Sequence, residues 1–214
     1  MPQATSNPIR PNLTVLRSAP LLAILPDPEL RRLRDESEMI RVRTRTTLLD
    51  QSADTGAVCF MISGFAKIER HDGHDRIAIA MLGPGEIFGE LSALYGGPRS
   101  ASVVTLTDCT TLLIPAAAFL RCMRIHAEFS FAVARHLADR LVKADRKIEL
   151  FRGPVAPRVE DLLNDWRKLG VPNSVRLSQV EMARMLGCSR ETISRTIAQI
   201  EARRNKLPKR PAPG

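Results

Sequence analysis

The stretch LSQVEMARMLGCSRETISRTIAQIEAR at residues 177–203 predicts two short helices joined by a tight turn. Ser178 is a suitable N-cap, and Glu181 three residues later completes a capping box, so the first helix starts directly after Ser178. Gly187 ends that helix, because glycine enters a left-handed turn without a Cβ penalty. Ser189 then caps the second helix.

The second helix of this stretch has an apolar side and a charged side. Its isoleucines recur at helical spacing and predict the buried side: Ile193, Ile197 and Ile200. The first two turns carry on the other side Arg190, Glu191, Ser194 and Arg195. Such a face suits the major groove of DNA, where Arg pairs with guanine and Glu accepts from cytosine N4. A solvated helix face is the alternative, but the two caps, the glycine turn and the charge order together favour a helix-turn-helix.

The run GCSRETISR at residues 187–195 resembles the recognition element of the Crp/Fnr family of bacterial transcription regulators. The resemblance implies that the two arginines and the glutamate read base edges, and that hydroxyl groups contact phosphates. The DNA-contacting set predicted in this way is Ser178, Ser189, Arg190, Glu191, Thr192, Ser194 and Arg195. The resemblance also implies a homodimer on a palindromic double-stranded operator with TGTGA-like half-sites, and RNA polymerase as a further partner.

The charge of the chain is concentrated near its C-terminus. The 214 residues carry a formal net charge of +9, and counting from Arg152 to the end places +7 of it there. A basic segment behind a near-neutral one indicates a nucleic-acid-binding module attached to a domain with another task. The hydrophobic content of 44% suffices for the core of one large or two modest domains.

Several function classes are disfavoured by the rest of the composition. The cysteines are scattered without a Cys-x-x-Cys pair: Cys59, Cys109, Cys122 and Cys188. This spacing excludes a zinc ribbon and a disulfide framework, and indicates the reducing cytoplasm. The four histidines lack ligand-like grouping, so we expect no metal. No segment approaches the ~20 apolar residues of a membrane span, and no nucleophile–base pattern suggests an enzyme.

Residues 39–113 read as many short strands separated by turns, which predicts a closed or sandwiched β-structure. The clearest signal is a hairpin whose strands flank the polar turn HDGHD at residues 71–75. The spacing of this region resembles the β-roll of cyclic-nucleotide-binding domains. The expected fold class is therefore α+β, with an N-terminal β-roll, a long dimerisation helix and a C-terminal helix-turn-helix that is winged-helix-like with a reduced wing.

The stretch FGELSALYGGPRSASV at residues 88–103 resembles the phosphate-binding cassette of those domains. A helix beginning near Glu90 would aim backbone N–H groups at an anion, and Arg99 would supply a charged partner for a phosphate. Glu90 suits the ribose 2′-hydroxyl of a cyclic nucleotide. The predicted cassette residues are Gly89, Glu90, Leu91, Arg99 and Ser100. In the alternative interpretation, the glycines only form turns and Glu90 and Arg99 form a structural ion pair.

The longest predicted helix covers about residues 129–151 and carries a coiled-coil seam: Leu137, Leu141, Ala144, Ile148 and Phe151. The resemblance implies that it forms the dimer axis. Cyclic-AMP-responsive members place a Thr-Ser pair on this helix, but the matching positions here are Arg140 and Leu141. Arg140 addresses a guanine edge or a phosphate, or is merely solvated. The expected effector is a cyclic nucleotide: cyclic AMP, cyclic GMP or cyclic di-GMP.

Pro154 and Pro157 break the long helix and indicate a hinge. The predicted segments are a flexible arm at 1–19, an effector-binding β-roll at 20–125, a dimerisation helix at 126–152 and a helix-turn-helix domain with a basic tail at 153–214. The chain ends in EARRNKLPKRPAPG rather than an apolar hairpin, so we expect the wing to be reduced or absent. Two alternatives stay open: a nucleotide-independent regulator controlled by its level or by redox state, and a cyclic-nucleotide-binding signalling module.

Overall fold

Two antiparallel four-stranded sheets and eight α-helices make up the described part of the protein. The computed structural model describes residues 8–53, 56–73, 75–172, 175 and 177–206. The strands are β1 (Glu38–Val42), β2 (Thr47–Leu49), β3 (Ala57–Ser63), β4 (Ala66–Asp72), β5 (Asp75–Leu82), β6 (Ile87–Phe88), β7 (Ser102–Thr105) and β8 (Cys109–Pro115). The helices are α1 (Leu13–Ser18), α2 (Asp27–Glu36), α3 (Glu90–Tyr95), α4 (Ala116–Ile125), α5 (Ala127–Phe151), α6 (Val155–Lys168), α7 (Gln179–Leu186) and α8 (Arg190–Lys206).

The two sheets have the strand orders β1-β8-β3-β6 and β2-β7-β4-β5. They pack face to face, and the side chains of β3 alternate between the core that separates the sheets and the core beneath the helices. Val58 and Phe60 pack into the core beneath the helices, while Cys59 and Met61 pack into the core between the sheets. All four side chains are fully buried, because alternate residues of a strand point to opposite faces. The predicted α+β class with an N-terminal β-roll is confirmed.

The segment predicted as a flexible arm folds onto the β-roll from Ile9 onward. Ile9 pairs with Met39 on β1, and α1 is capped by the Asn12 side chain, which accepts from the Val15 N–H at 2.9 Å. Leu16 is fully buried in the core beneath the helices. The prediction of flexibility is therefore wrong for this part of the arm, because burial of Leu16 and the cap order the chain. Residues 1–7 lie outside the described residues.

Helices α4 and α5 follow the last strand of the β-roll directly. The start of α5 is anchored by Phe129, which is fully buried and meets Phe119 edge-on at 5.5 Å between ring centroids. Further along, large apolar side chains of α5 stay exposed, including Phe131, Leu141, Val142, Ile148 and Phe151. Three of these belong to the predicted seam, so α5 presents an unpaired apolar face.

Helices α6, α7 and α8 enclose a separate small core. It contains mainly Val159, Leu162, Met182, Ala183, Leu186, Ile193 and Ile200. Helix α8 continues to Lys206, so the first part of the predicted basic tail is helical; residues 207–214 lie outside the described residues. Within the described ranges, no helix has both the length and the apolar character needed to cross a bilayer.

Candidate effector site and nucleic-acid interface

The predicted cassette forms a short helix with a glycine at each end. Gly89 precedes α3 with φ +79°, and Gly96 follows it with φ +77°. A Cβ at Gly89 would collide with the guanidinium of Arg99, so this position needs glycine both for its backbone angle and for the close approach of Arg99. The prediction of a helix beginning at Glu90 is confirmed.

Arg99 is buried beneath the cassette, with 5% of its surface exposed. Its Nη1 donates to the Gly89 carbonyl oxygen at 2.7 Å and to the Ser92 Oγ at 3.0 Å. Its Nη2 donates to the Ala57 carbonyl oxygen. Burial lowers the pKa of Arg99, although nearby Glu90 opposes that shift. These bonds occupy three of the five guanidinium N–H groups and leave Nε and one Nη2 hydrogen for another acceptor.

Glu90 is the most deeply buried charged residue of the cassette, at 1% exposure. Its Oε1 accepts from Nη1 of Arg140, which comes from α5. Its Oε2 is buried and has no hydrogen-bond partner among the described residues. Burial raises the pKa of Glu90, and the Arg140 guanidinium opposes this rise. Glu90 therefore forms its ion pair with Arg140. The alternative interpretation of the cassette, an ion pair between Glu90 and Arg99, is wrong.

The other predicted cassette residues lie at its surface: Leu91 is 43% exposed, and Ser100 is exposed as well. Residues that the sequence reasoning missed line the same region. Ser92 accepts from Arg99, and its hydroxyl donates to the Gly89 carbonyl oxygen at 3.1 Å. His136 stands one turn before Arg140 on α5; burial lowers its pKa, as do the charges of Arg140 and Lys143. The i, i+4, i+7 spacing from His136 through Arg140 to Lys143 could have identified these neighbours from the sequence.

The helix-turn-helix is built by local hydrogen bonds, as the sequence predicts. The Glu181 N–H donates to Ser178 Oγ at 3.1 Å, and the Ser178 N–H donates to Glu181 Oε2 at 3.0 Å, which completes the capping box. Gly187 ends α7 with φ +61°. The Thr192 N–H donates to Ser189 Oγ at 3.1 Å, which caps α8. All these predictions are confirmed.

The two sides of α8 separate as predicted. Ile193 and Ile200 are buried against α6 and α7. The residues on the opposite side are exposed: Arg190, Glu191, Ser194 and Arg195. Ser178 and Ser189 are exposed as well, and Thr192 is half-buried. The charged side chains of the predicted DNA-contacting set are thus available to a partner on the exposed side of α8.

An ion-pair network that the sequence reasoning missed joins the helix-turn-helix to the β-roll. Lys67 on β4 lies 3.2 Å from Glu181 Oε1 and 3.1 Å from Oε2 of the buried Glu69. Burial alone raises the pKa of Glu181, but hydrogen bonds from Ser178 and Lys67 outweigh it and lower the pKa overall. Glu181 lies 114 residues after Lys67, so no local pattern indicates the link between the two domains.

The described residues do not favour a redox-active cysteine or a metal site. Cys59, Cys109 and Cys122 are buried, and burial raises the pKa of Cys59 and of Cys122 to about 12. Since the thiolate is the reactive form, these thiols are poor redox sensors; Cys188 is half-buried. No group of three or more candidate ligands that could hold a metal ion occurs in the part of the chain that the structure describes.

Two family models match the chain. The cyclic nucleotide-binding domain matches residues 39–126, which contain the two sheets and the cassette. The model of bacterial regulatory proteins of the crp family matches residues 175–203, which contain α7 and the recognition part of α8. The two models thus cover the cassette and the exposed face of α8, whereas Arg140 on α5 lies outside both.

Relatives and solved structures extend the likeness over most of the chain. The cyclic AMP receptor protein of Thermus thermophilus is 34% identical over 147 residues, which cover 67% of this chain and 68% of that protein. The solved catabolite activator protein of the same organism is 29% identical, covers 90% of this chain and 91% of its own, and has a TM-score of 0.53. The regulator CLP of Xanthomonas campestris, described as c-di-GMP responsive, shares the fold at 23% identity, with a TM-score of 0.67 over 86% of this chain and 96% of its own. This chain belongs to the crp family of bacterial regulatory proteins.

Proposed function

We propose that this protein is a sequence-specific DNA-binding transcription regulator whose β-roll binds a cyclic nucleotide. The observation that carries DNA binding is the exposed face of α8 with Arg190, Glu191 and Arg195, held by an α7–Gly187–α8 turn. Arginine can pair in a bidentate manner with guanine O6 and N7, and glutamate can accept from cytosine N4. In this proposal Ser178, Ser189, Thr192 and Ser194 supply the hydroxyl contacts around that face.

The effector site in this proposal is the cassette with Arg99 and Glu90. The two remaining guanidinium N–H groups of Arg99 suit a phosphate oxygen, with Ser100 at the cassette rim as a further donor. Glu90 Oε2, buried without a partner among the described residues, suits a ribose 2′-hydroxyl. The name of the Thermus relative supports a cyclic nucleotide as the class of effector. The matching family model supports the same class.

Arg140 links the effector site to α5 and bears on base identity. Its guanidinium pairs with Glu90 Oε1, next to the Oε2 that we propose for the ribose, so a nucleotide bound at Glu90 lies within reach of Arg140. A guanidinium at that place pairs well with guanine O6 and N7, whereas adenine N6 is a donor and repels it. We therefore propose a preference for a guanine nucleotide, cyclic GMP or cyclic di-GMP, over cyclic AMP.

The proposed assembly is a homodimer along α5, in the cytoplasm, with RNA polymerase as a further partner. The exposed apolar side chains of α5 support self-association, since such a face is costly in water: Phe131, Leu141, Val142 and Ile148. A two-fold dimer would place two copies of α8 on a palindromic operator with TGTGA-like half-sites. The domain limits proposed with this assembly are 20–125, 126–152 and 153–214.

Ligand binding would act by a population shift between arrangements of α5. The test titrates the pure protein with cyclic AMP, cyclic GMP and cyclic di-GMP by calorimetry, and measures operator binding with and without each. Heat with at least one nucleotide and a change in operator affinity support the proposal. Full operator affinity with no heat from any nucleotide would favour the nucleotide-independent regulator instead. Heat without any DNA binding would favour the signalling module.

A further inference from the structure

The side chain of Arg158 lies where three elements meet: the end of α5, the hinge after it and the end of α7. Arg158 belongs to the first turns of α6. Its Nε donates to the Leu150 carbonyl oxygen at 3.0 Å, and its Nη2 donates to the carbonyl oxygens of Phe151 at 2.7 Å and Gly153 at 2.6 Å. Its Nη1 donates to the Leu186 carbonyl oxygen at 3.1 Å. One guanidinium thus holds four carbonyl groups.

The four carbonyls explain why the residue is arginine. Leu150 and Phe151 are the last residues of α5, and Leu186 is the last residue of α7. Carbonyls at a helix C-terminus lack an intrahelical donor and carry the negative end of the helix dipole. A guanidinium presents five N–H groups in a rigid fork, whereas a lysine ammonium is a point charge on a flexible stem. Arginine therefore satisfies two helix ends at once and fixes the angle between them.

The aromatic ring of Phe151 strengthens the same junction. The Arg158 guanidinium carbon lies 5.0 Å from the centroid of this ring, within the range of a cation–π contact. The ring also lies beside the turn of the helix-turn-helix, since a Cβ at Gly187 would be 3.5 Å from its Cε1. The end of α5 thus touches both the side chain that links the helices and the turn that aims α8.

Apolar packing at this junction is incomplete. A cavity of about 200 Å³ lies between β5, α5, α6 and α7, and its lining includes Ile77, Ile79, Leu150, Phe151, Met185 and Leu186. Where side chains do not fill the space between elements, packing alone does not hold them at one angle. Directional hydrogen bonds then decide the angle. A further link between α5 and α6, the ion pair of Arg146 with Asp161 at 2.9 Å, is largely solvent-exposed at Arg146 and is correspondingly weak.

We infer that Arg158 is a positioning residue that fixes the helix-turn-helix relative to the proposed dimer helix α5, and so sets the spacing of DNA half-sites that the dimer accepts. This inference rests on the proposed dimeric DNA-binding function. Arg158 does not touch DNA in this scheme. It acts through α7, whose C-terminus it holds, and through Gly187, which leads into α8.

The first test measures spacing preference. DNA sites are selected from a random library with the full-length wild-type protein, and the spacer between half-sites is then lengthened or shortened by one or two base pairs. The wild type should prefer one spacing, because a dimer addresses half-sites about one helical turn apart. Arg158→Gln should reduce that preference roughly tenfold, within the usual range of coupling between sites. Arg167→Gln is the matched control on α6; its side chain donates locally to Asn164, so this variant should keep the preference.

The second test needs no DNA. Cys188 is the one cysteine of the four that is not buried, and it lies in the helix-turn-helix turn, so a spin label there reports the distance between the two copies. Arg158→Gln should broaden the distribution of that distance, and Arg167→Gln should leave it narrow. If Arg158→Gln does not fold, Arg158→Lys, which keeps the charge but not the fork, is measured in the same two ways.

Unchanged spacing preference and an unchanged distance distribution in a folded Arg158 variant would overturn the inference and leave Arg158 as a stabilising residue only. Failure of the wild type to select any DNA would instead contradict the proposed function. The spin-label measurement would then still decide whether Arg158 positions the helix-turn-helix.

Discussion

The effector site and the helix-turn-helix are built in opposite ways. The helix-turn-helix uses residues three positions apart to cap its helices, and it exposes its charges. The effector site joins residues that are distant in sequence, such as Ala57, Arg99 and Arg140, and it buries the charges of Glu90 and Arg99. A buried charge depends on its partners, whereas an exposed charge is free for a new one. Loss of the buried cation Arg99 at the effector site should therefore have a larger effect than loss of an exposed charge on α8.

The largest effect is expected from Arg99→Ala. The substitution removes the buried cation of the cassette, so nucleotide binding should fall by about 100-fold or more, equivalent to about 2.8 kcal/mol. Calorimetry with the nucleotide that binds the wild type measures this decrease. Arg124→Ala, on the exposed end of α4, is the control and should bind normally. Retained affinity in a folded Arg99→Ala protein would show that Arg99 serves only its own backbone carbonyls.

Arg190→Ala should have a smaller effect, confined to DNA. Removal of a bidentate pair with guanine costs roughly 1–3 kcal/mol and relaxes preference at one base position. Binding to a palindrome and to its single-base variants measures both quantities. Arg203→Ala, at the far end of α8, should weaken binding equally on all variants. An unaltered base preference in Arg190→Ala would contradict the assignment of this residue to base reading.

Arg140→Ala tests the link between the effector site and α5. The substitution should reduce the preference for a guanine over an adenine nucleotide by about tenfold. One good hydrogen-bonded pairing with a base contributes about this factor to binding. Competition between cyclic GMP and cyclic AMP measures that preference. Arg135→Ala, exposed on the same helix, should not change it. If Arg140→Ala instead improves the affinity for both nucleotides equally, Arg140 only competes for Glu90 and does not read the base.

The basic C-terminal segment should contribute affinity without sequence preference. Truncation after Ala202 should flatten the dependence of log K on log salt by about 0.9 for each phosphate that the shortened protein no longer neutralises. Truncation removes both the charges and the last residues of α8. A second protein with Arg203, Arg204 and Lys206 replaced by Gln keeps the length of α8 and removes only the charges, so it shows how much of the salt dependence comes from charge. An unaltered salt slope in both proteins would mean that this segment does not touch DNA. Lys209 and Arg210 lie outside the described residues.

The smallest effects concern pH, and the two regions should differ in sign. Burial raises the pKa of Glu90, so its ionisation destabilises the fold as pH rises from about 4.5 through the pKa of the folded state. The pKa of Glu181 is lowered, so its stabilisation is present above about 4.5 and disappears as pH falls through the folded pKa. In thermal unfolding against pH, Glu90→Gln should remove the loss of stability that begins as pH rises above about 4.5. Glu181→Gln should remove the loss of stability that begins as pH falls below about 4.5. Equal profiles for both variants would contradict these opposite environments.

The sequence by itself determined the parts of this protein that depend on local chemistry. The capping box, the Gly187 turn and the Ser189 cap are hydrogen bonds between near neighbours, so residue types at fixed spacing predict them. A closed or sandwiched β-structure followed from turn signals and strand spacing in the same way. The β-roll class and the cassette helix followed from the resemblance to cyclic-nucleotide-binding domains. The roles of the predicted site residues stay predictions, although the structure joins Gly89 to Arg99 and Glu90 to Arg140.

Only the tertiary structure decided which distant residues meet. The contacts of Glu90 with Arg140, of Arg158 with the Leu186 carbonyl and of Lys67 with Glu181 join segments that no local pattern relates. The ordered part of the arm is the same case, because Leu16 becomes helical and buried only against a core formed by later strands. A hydrogen bond within one turn depends on the residues around it. A contact between elements depends on how the whole chain packs, because burial and charge pairing are properties of the assembled core.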